Sequence, residues 1–338
     1  MAAPSVFHPQ LGYGIPVSAE LPVSGEWPDS GELEDEIIGR GDSRSPVKDT
    51  TKMPYRWICQ IIATVQDPAM KGGAPTPFIG TGLLISPRHV LTAAHTVWFQ
   101  KDGGVYRAKQ VEVSPGRSRG SKPFGTYRVT GAKFPKEYSP VTAGSCYDYA
   151  LLTLDESIGG KRFKAIGNEP LAYWGSGLKG HDTRLEYVEP AALRKKAVHV
   201  VGYAGDKCGF LPIVPFKPGD RCYDGRSTPG DATLKQCLKN GLAGSAQYGD
   251  KGRVLDMRSG GPTQYLIYDA DTCGAQSGAP VWMQSGGKRY LVGIHTGAFH
   301  QAKGTCADAT AGARGDANRA IRIDRTVLRN VMSWIPPQ

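Results

Sequence analysis

The sequence predicts an all-β body closed by one C-terminal helix. Three observations carry this expectation: a turn-rich composition, a succession of short apolar runs bounded by turn residues, and a single late stretch with helical periodicity. With 44 Gly and 25 Pro in 338 residues, and 40% hydrophobic residues, the chain suits many short elements better than a helical bundle. That length accommodates either two domains or two barrels around one shared cleft.

Taken in order, residues 1–36 are rich in Pro, Gly, Ser and acids and lack periodicity. They end in the acidic run Glu32-Leu33-Glu34-Asp35-Glu36, the texture of a pro-segment or flexible arm. From Tyr55 the pattern changes to apolar runs separated by turns. Strands are expected at 58–65, 80–85, 89–93, 127–132, 149–154, 197–203, 264–268, 279–283 and 290–295. Between Lys207 and Pro262 a Gly-, Pro- and Lys-rich stretch carries Cys208, Cys222 and Cys237. A loop of that length is commonly functional or covalently tied down, so 207–262 reads as a Cys-containing insertion. The helix is expected over Arg325 to Ile335, where Val327, Leu328, Val331, Met332 and Ile335 recur at helical spacing. No internal repeat stands out.

The formal charge of +10 raises the question of a nucleic-acid partner, but the densest basic cluster, Arg194 to Lys196, is three residues long. A solvated basic surface, or a positive field that draws acidic substrates, fits better, and neither nucleic acid nor membrane is expected as a partner. Seven cysteines without a CxxC pair favour disulfides and a secreted or extracytoplasmic setting, with at least one thiol left over. Met1 to Leu11 lacks the basic region and apolar core of a signal peptide, so the expectation is a signal already removed or another export route. No nucleotide-binding glycine motif or zinc-ligand spacing occurs, so no cofactor and no metal are expected.

Three local patterns carry chemistry. Gly80-Thr-Gly-Leu-Leu-Ile-Ser-Pro-Arg-His-Val-Leu-Thr-Ala-Ala-His95 joins two strands by a turn and delivers a histidine after small residues that let backbones pack closely. Tyr147-Asp148-Tyr149-Ala150-Leu151-Leu152 opens an apolar strand with an acid that, if buried, needs a partner. Asp271-Thr-Cys-Gly-Ala-Gln-Ser277-Gly-Ala-Pro-Val-Trp282 surrounds one serine with small residues before another strand, as expected where a hydroxyl protrudes from a tight loop. Serine is a poor nucleophile at neutral pH; it needs a base to take its proton and an acid to orient that base. His95 and Asp148 are available for those roles. Singly, a histidine after a strand or an aspartate at a turn is ordinarily structural, and only the joint, ordered presence of all three points to catalysis.

The order His, Asp, Ser is that of the chymotrypsin class. The Thr-Ala-Ala-His, Asp-Tyr-Ala-Leu-Leu and Gln-Ser-Gly-Ala-Pro-Val segments resemble chymotrypsin-like serine proteases, and most nearly the bacterial glutamyl endopeptidases. Shorter blocks extend the resemblance from about Ile37 to Trp334: Ile38-Gly39, Val113-Ser-Pro-Gly-Arg117, Gly205-Asp206-Lys207, Gly293-Ile-His-Thr296, and Asn318-Arg319 with Arg322-Ile323.

The resemblance implies two six-stranded antiparallel β-barrels. Residues 37–170 would form the first, carrying His95 and Asp148. Residues 171–324 would form the second, carrying Ser277 and the insertion, and 325–338 the helix and tail. It implies a monomeric, secreted serine endopeptidase made as a zymogen and acting on protein or peptide substrates. His95, Asp148 and Ser277 would be catalytic, and the backbone N–H groups of Ala275 and Ser277 would form the oxyanion hole. The specificity pocket falls to His295 with Thr272, Thr296 and Gly297, whose imidazole and hydroxyls suit a Glu, or Asp, side chain before the scissile bond. A bond between Cys273 and Cys306 would brace that pocket, whereas the partners of Cys59, Cys146, Cys208, Cys222 and Cys237 stay open.

Self-cleavage after Glu34 or Glu36 would free an N-terminus near Ile37 that helps shape the pocket. One departure is Ala275, where the family has Gly; a Cβ there implies a strained or partly collapsed hole. Two alternatives remain. Asp271 stands where trypsin-like enzymes carry the acid that binds Lys or Arg, which would give cleavage after basic residues. A weakened hole would instead suit a pseudoprotease acting as a binding module.

Overall fold

In the computed structural model the described residues are 37–337 apart from 39–40, 70, 102, 142–145, 180–181, 209–210, 213–239, 241, 260–262 and 300–316. The expected N-terminal arm, 1–36, therefore lies outside them, as do Cys222, Cys237 and Cys306.

Two closed antiparallel barrels account for most of the chain. The first is built from β1 (Ile58–Val65), β2 (Thr76–Leu84), β3 (His89–Thr92), β4 (Gln110–Pro115), β5 (Tyr127–Lys133) and β6 (Ala150–Leu154), closing in the order β1-β2-β3-β6-β5-β4. The second comprises β7 (Ala197–Tyr203), β8 (Gln247–Ser259), β9 (Gln264–Tyr268), β10 (Pro280–Ser285), β11 (Lys288–Phe299) and β12 (Ala317–Arg322). It closes as β7-β8-β9-β12-β11-β10, the strand order of the first barrel repeated. The repeat exists in topology although the sequence shows none, because closure depends on alternation and register rather than on residue identity.

Aliphatic residues fill both interiors. Ile61, Val90, Val113, Leu152 and Leu154 are fully or almost fully buried in the first barrel, as are Val198, Val200, Val254, Leu266, Val281 and Ala320 in the second. Trp57, Trp174 and Trp282 form an aromatic chain, with neighbouring ring centres 6.4 and 6.0 Å apart, inside an apolar cluster that spans both barrels.

Among the described residues two short α-helices complete the frame, α1 (Pro190–Leu193) and α2 (Arg325–Trp334). The Asp324 side chain caps α2, accepting from the backbone N–H of Thr326 and Val327 at 2.8 and 2.9 Å. Val327 and Val331 face inward as the periodicity predicts, whereas Met332 is 51% exposed. α2 packs on the first barrel: Trp334 stacks on Tyr149 at 5.8 Å, and Asn330 Nδ2 donates to the Tyr149 hydroxyl at 2.8 Å. The helix thereby buttresses the residue next to Asp148.

The structure departs from expectation in the stretch 207–262, where Gln247–Ser259 is not insertion but the longest strand of the second barrel. Its alternation is hidden by Asp250, Lys251, Arg253, Asp256 and Arg258, and only one face, through Tyr248 and Val254, enters the interior. Strands β4 and β12, likewise unforeseen, complete the two closures.

Candidate active site

Ladder register builds the first half of the site. Strands β3 and β6 pair with Thr92 opposite Ala150, so the chain beyond Thr92 and the chain before Ala150 emerge side by side at the same barrel end. A short 3-10 turn, Ala94–Thr96, then places His95 over Asp148. The His95 Nδ1 lies 2.6 Å from one Asp148 carboxylate oxygen, and the His95 backbone N–H donates to the other at 3.0 Å. Both residues are buried, His95 at 6% and Asp148 at 2% exposure. The aspartate expected to need a partner has two bonds from one residue, which fix both the position and the ring orientation of the histidine.

The second half is the loop between β9 and β10. Ser277 is 5% exposed, and its carbonyl accepts from the Thr81 N–H at 2.9 Å, tying the loop to the first barrel. Gly278 shows how closely the halves meet. A methyl group there would collide with the Thr81 carbonyl oxygen and the Thr92 hydroxyl and stand 3.0 Å from the Ala93 nitrogen, while the backbone angle φ of +86° already favours glycine. The serine loop thus abuts the strand end that leads into the His95 turn.

Ala275 adopts φ +72°, the left-handed conformation foreseen for a glycine position. Its carbonyl accepts from Thr81 Oγ1 at 2.9 Å. Among the described residues the backbone N–H groups of Ala275 and Ser277 donate to no carbonyl or side chain, which leaves two neighbouring donors of one loop unspent.

His295 is fully buried on β11, bonded through its backbone to both residues that follow the serine: Gly278 N–H donates to the His295 carbonyl at 2.7 Å, and His295 N–H to the Ala279 carbonyl at 2.9 Å. Its Nδ1 lies 2.5 Å from the Tyr268 hydroxyl and 3.1 Å from the Arg319 carbonyl oxygen. A register shift between His295 and Gly297 leaves Thr296 as an extra residue against β12, a bulge of the kind that re-aims side chains beside active sites. The hydroxyls of Thr272 and Thr296 are buried and have no hydrogen-bond partner among the described residues.

Asp271 is engaged elsewhere. One carboxylate oxygen accepts from the Ile38 N–H at 2.6 Å; the other accepts from the Ser43 N–H at 2.7 Å and its hydroxyl at 2.5 Å. Burial pushes the Asp271 carboxyl above the ordinary range, against the pull of the bonds from Ser43 and Ile38.

A group that the sequence reading missed adjoins the same loop. The Arg44 guanidinium is fully buried between Asp42 and Asp206 and also reaches Gln276, the residue before Ser277, at 2.9 Å. No local pattern announces it, since its partners lie at 42, 206 and 276; the block Gly205-Asp206-Lys207 was the sole visible trace. Cys146 and Cys273 are each disulfide-bonded and Cys59 is a buried free thiol, while the partner expected for Cys273, Cys306, lies outside the described residues. Among the described residues no cluster of three His, Cys, Asp or Glu side chains could hold a metal, and no helix is long and apolar enough to cross a membrane.

No protein-family model matches the chain. It is 27% identical over 300 residues to the glutamyl endopeptidase of Bacillus licheniformis, an alignment covering 88% of this chain and 68% of that protein. It is 34% identical over 123 residues to an extracellular metalloprotease of Bacillus subtilis, covering 36% of each. A solved Glu endopeptidase in complex with MPD superposes with a TM-score of 0.54 and 21% identity, over 88% of this chain and all of that one. The chain therefore has the chymotrypsin-like two-barrel fold and is similar in sequence to a bacterial glutamyl endopeptidase.

Proposed function

We propose that the chain is a serine endopeptidase that cleaves peptide bonds through an acyl-enzyme, with Glu preferred before the scissile bond. The observation that carries this reading is the buried His95–Asp148 pair at the barrel end against which the Ser277 loop is packed.

Asp148 at Nδ1 fixes the imidazole tautomer, so that Nε2 is the nitrogen that takes the Ser277 proton as the hydroxyl oxygen attacks the substrate carbonyl carbon. The tetrahedral oxyanion is received by the N–H groups of Ala275 and Ser277, each such donor contributing on the order of 3 kcal/mol to the barrier reduction. The imidazolium, stabilised by Asp148, returns the proton to the leaving amine as the C–N bond breaks. Water, deprotonated by the same imidazole, then cleaves the acyl ester and regenerates the serine.

Two things support the acidic preference. The pocket residues His295, Thr272 and Thr296 bring an imidazole and two buried hydroxyls without partners among the described residues, groups that a carboxylate would satisfy. The rival residue for basic substrates, Asp271, already accepts three hydrogen bonds from Ile38 and Ser43. The same bonds support a processed N-terminus near Ile37 that shapes the pocket; secretion as a zymogen and a Cys273–Cys306 bond are further parts of the proposal, carried by the similarity in sequence alone. No separate observation favours the pseudoprotease reading.

A peptide series differing only at the residue before the cut tests this, run beside fluorophosphonate labelling of wild type and Ser277→Ala. Expected are labelling that depends on Ser277 and kcat/KM for Glu exceeding Gln by roughly 100-fold, since the polar groups of the pocket would be left without their charged partner. Cleavage after Lys or Arg would overturn the pocket assignment, and absence of both labelling and cleavage the enzyme itself.

A further inference from the structure

Arg44 presents five N–H donors and spends all of them. Nε and one Nη donate to the two Asp42 oxygens at 2.8 and 2.9 Å; the two Nη atoms donate to the Asp206 oxygens at 3.0 and 2.6 Å; the fifth bond, 2.9 Å, goes to Gln276 Oε1. Lys207 lies 3.1 Å from Asp42 and 3.2 Å from Asp206. Two cations and two carboxylates, none more than 5% exposed at the side chain, thus form a buried group of zero net charge.

Gln276 converts that group into loop geometry. Its Oε1 accepts from Arg44 and also from the Cys273 N–H at 3.0 Å, while its own backbone N–H donates back to the Cys273 carbonyl at 3.1 Å. Its Nε2 donates to the Tyr248 carbonyl on β8 at 3.3 Å. Residues 273–276 are therefore clasped into a reciprocally bonded turn by a side chain whose outer end is gripped by Arg44. The other flank is tied as well, Gly205 N–H donating to the Gly274 carbonyl at 2.7 Å beside Asp206. Ala275, in its left-handed conformation, sits inside this clasp. A planar fork fits this site: an ammonium at the same place keeps the charge but offers three donors from one nitrogen, where Arg44 makes five bonds from three.

We propose that Arg44 is a positioning residue for catalysis, acting through Gln276 to hold the 273–277 loop so that the Ala275 and Ser277 N–H groups point at the developing oxyanion. This rests on the protease reading above, and it adds that a residue of the N-terminal segment sets turnover as distinct from substrate affinity.

The test compares Arg44→Lys, which keeps the buried charges balanced, Gln276→Met, which leaves no buried charge unpaired, and the double variant. Kinetics are normalised to sites titrated with fluorophosphonate, and a peptidyl aldehyde serves as a probe of the hole. Expected is a fall in kcat of about tenfold or more in each single variant with KM changed less than about twofold, weaker aldehyde binding by the same factor as kcat, and a double variant no worse than Gln276→Met. Unchanged kcat per titrated site, or single effects that multiply, would overturn the proposal. Should wild type fail to react with fluorophosphonate, the protease reading falls separately. Hydrogen exchange of the 273–278 amides then decides: faster in Arg44→Lys supports the clasp, equal rates sink it.

Discussion

The two barrels share one strand order, yet they deliver their halves of the site by different means. In the first, Thr92 opposite Ala150 in a continuous ladder is enough to bring His95 onto Asp148. In the second, the Ser277 loop lies beyond the end of β9 and is held by a segment more than 200 positions earlier, through the Ile38 and Ser43 bonds to Asp271 and the Arg44 bond to Gln276. Register is a short-range, many-bonded constraint; a buried charge cluster is a long-range one whose members must all arrive together. The proposed base is thus built into the barrel, while the loop of the proposed nucleophile is assembled on it by the N-terminal segment.

The largest effect should come from the ladder-built half. Asp148→Asn preserves size and most packing but offers the imidazole an amide, which favours the wrong tautomer. Turnover should fall roughly 10,000-fold with little change in KM and little change in melting temperature. Steady-state kinetics with a Glu peptide checks it, and a fall of less than about tenfold would mean that this pair is not the base and its orienter.

How much of this could be read beforehand follows the same division. The strands Ile58–Val65, Ala197–Tyr203 and Gln264–Tyr268 were foreseen with the bounds observed, because both their faces are largely apolar and turn residues flank them. Asp148 was legible as an acid in need of a partner, and Ala275 as a Cβ at a position where the resemblance implies glycine. Gln247–Ser259 was not, since most of its outward side chains are charged and glycines at 249 and 252 interrupt it. Arg44 itself left no signal beyond the Gly205-Asp206-Lys207 block of its partners: an arginine in a polar segment shows nothing of partners brought from 162 and 232 positions away.

Acid should separate the two regions. His89, on β3, is buried with its Nδ1 2.7 Å from the Ser86 hydroxyl; burial, together with Arg88 and Lys133, lowers its pKa from 6.5 to about 4. The unfolded chain then takes up a proton that the folded chain refuses, so stability is lost as pH falls from about 6.5 to about 4, by up to roughly 3 kcal/mol. Asp42 in the charge cluster behaves otherwise. Although burial acts to raise it, hydrogen bonding and charge from Arg44 bring its carboxyl from 3.8 down to about 2, so its contribution persists above pH 3.8 and is lost between there and about 2. Denaturant midpoints across pH 7 to 2 should therefore show two losses. His89→Phe should shrink the upper one, to which His199 also contributes because burial lowers it too, and Asp42→Asn should shrink the lower; a single loss unaffected by His89→Phe would refute the separation.

The smallest expected effect is the finest test of how the second half is held. Ala275 pays on the order of 1 kcal/mol for its left-handed backbone, and the observed φ of +72° shows the loop bonds holding it there. Glycine would release that strain, but it would also enlarge the unfolded ensemble by about 0.4–1 kcal/mol. The melting temperature of Ala275→Gly should consequently stay close to that of the parent. Turnover is where the difference should surface. If the Cβ holds the Ala275 N–H slightly off the oxyanion's direction, its removal should raise kcat roughly two- to threefold, well below the full value of a hole donor, because the Arg44–Gln276 clasp already sets the peptide's orientation. The same substitution placed in Arg44→Lys should give no gain, since a loop released from the clasp gains nothing from more backbone freedom. A rise of equal size in both backgrounds would mean that the alanine and the clasp act independently, and an unchanged or lower rate in the parent would remove the idea that the alanine restrains the hole.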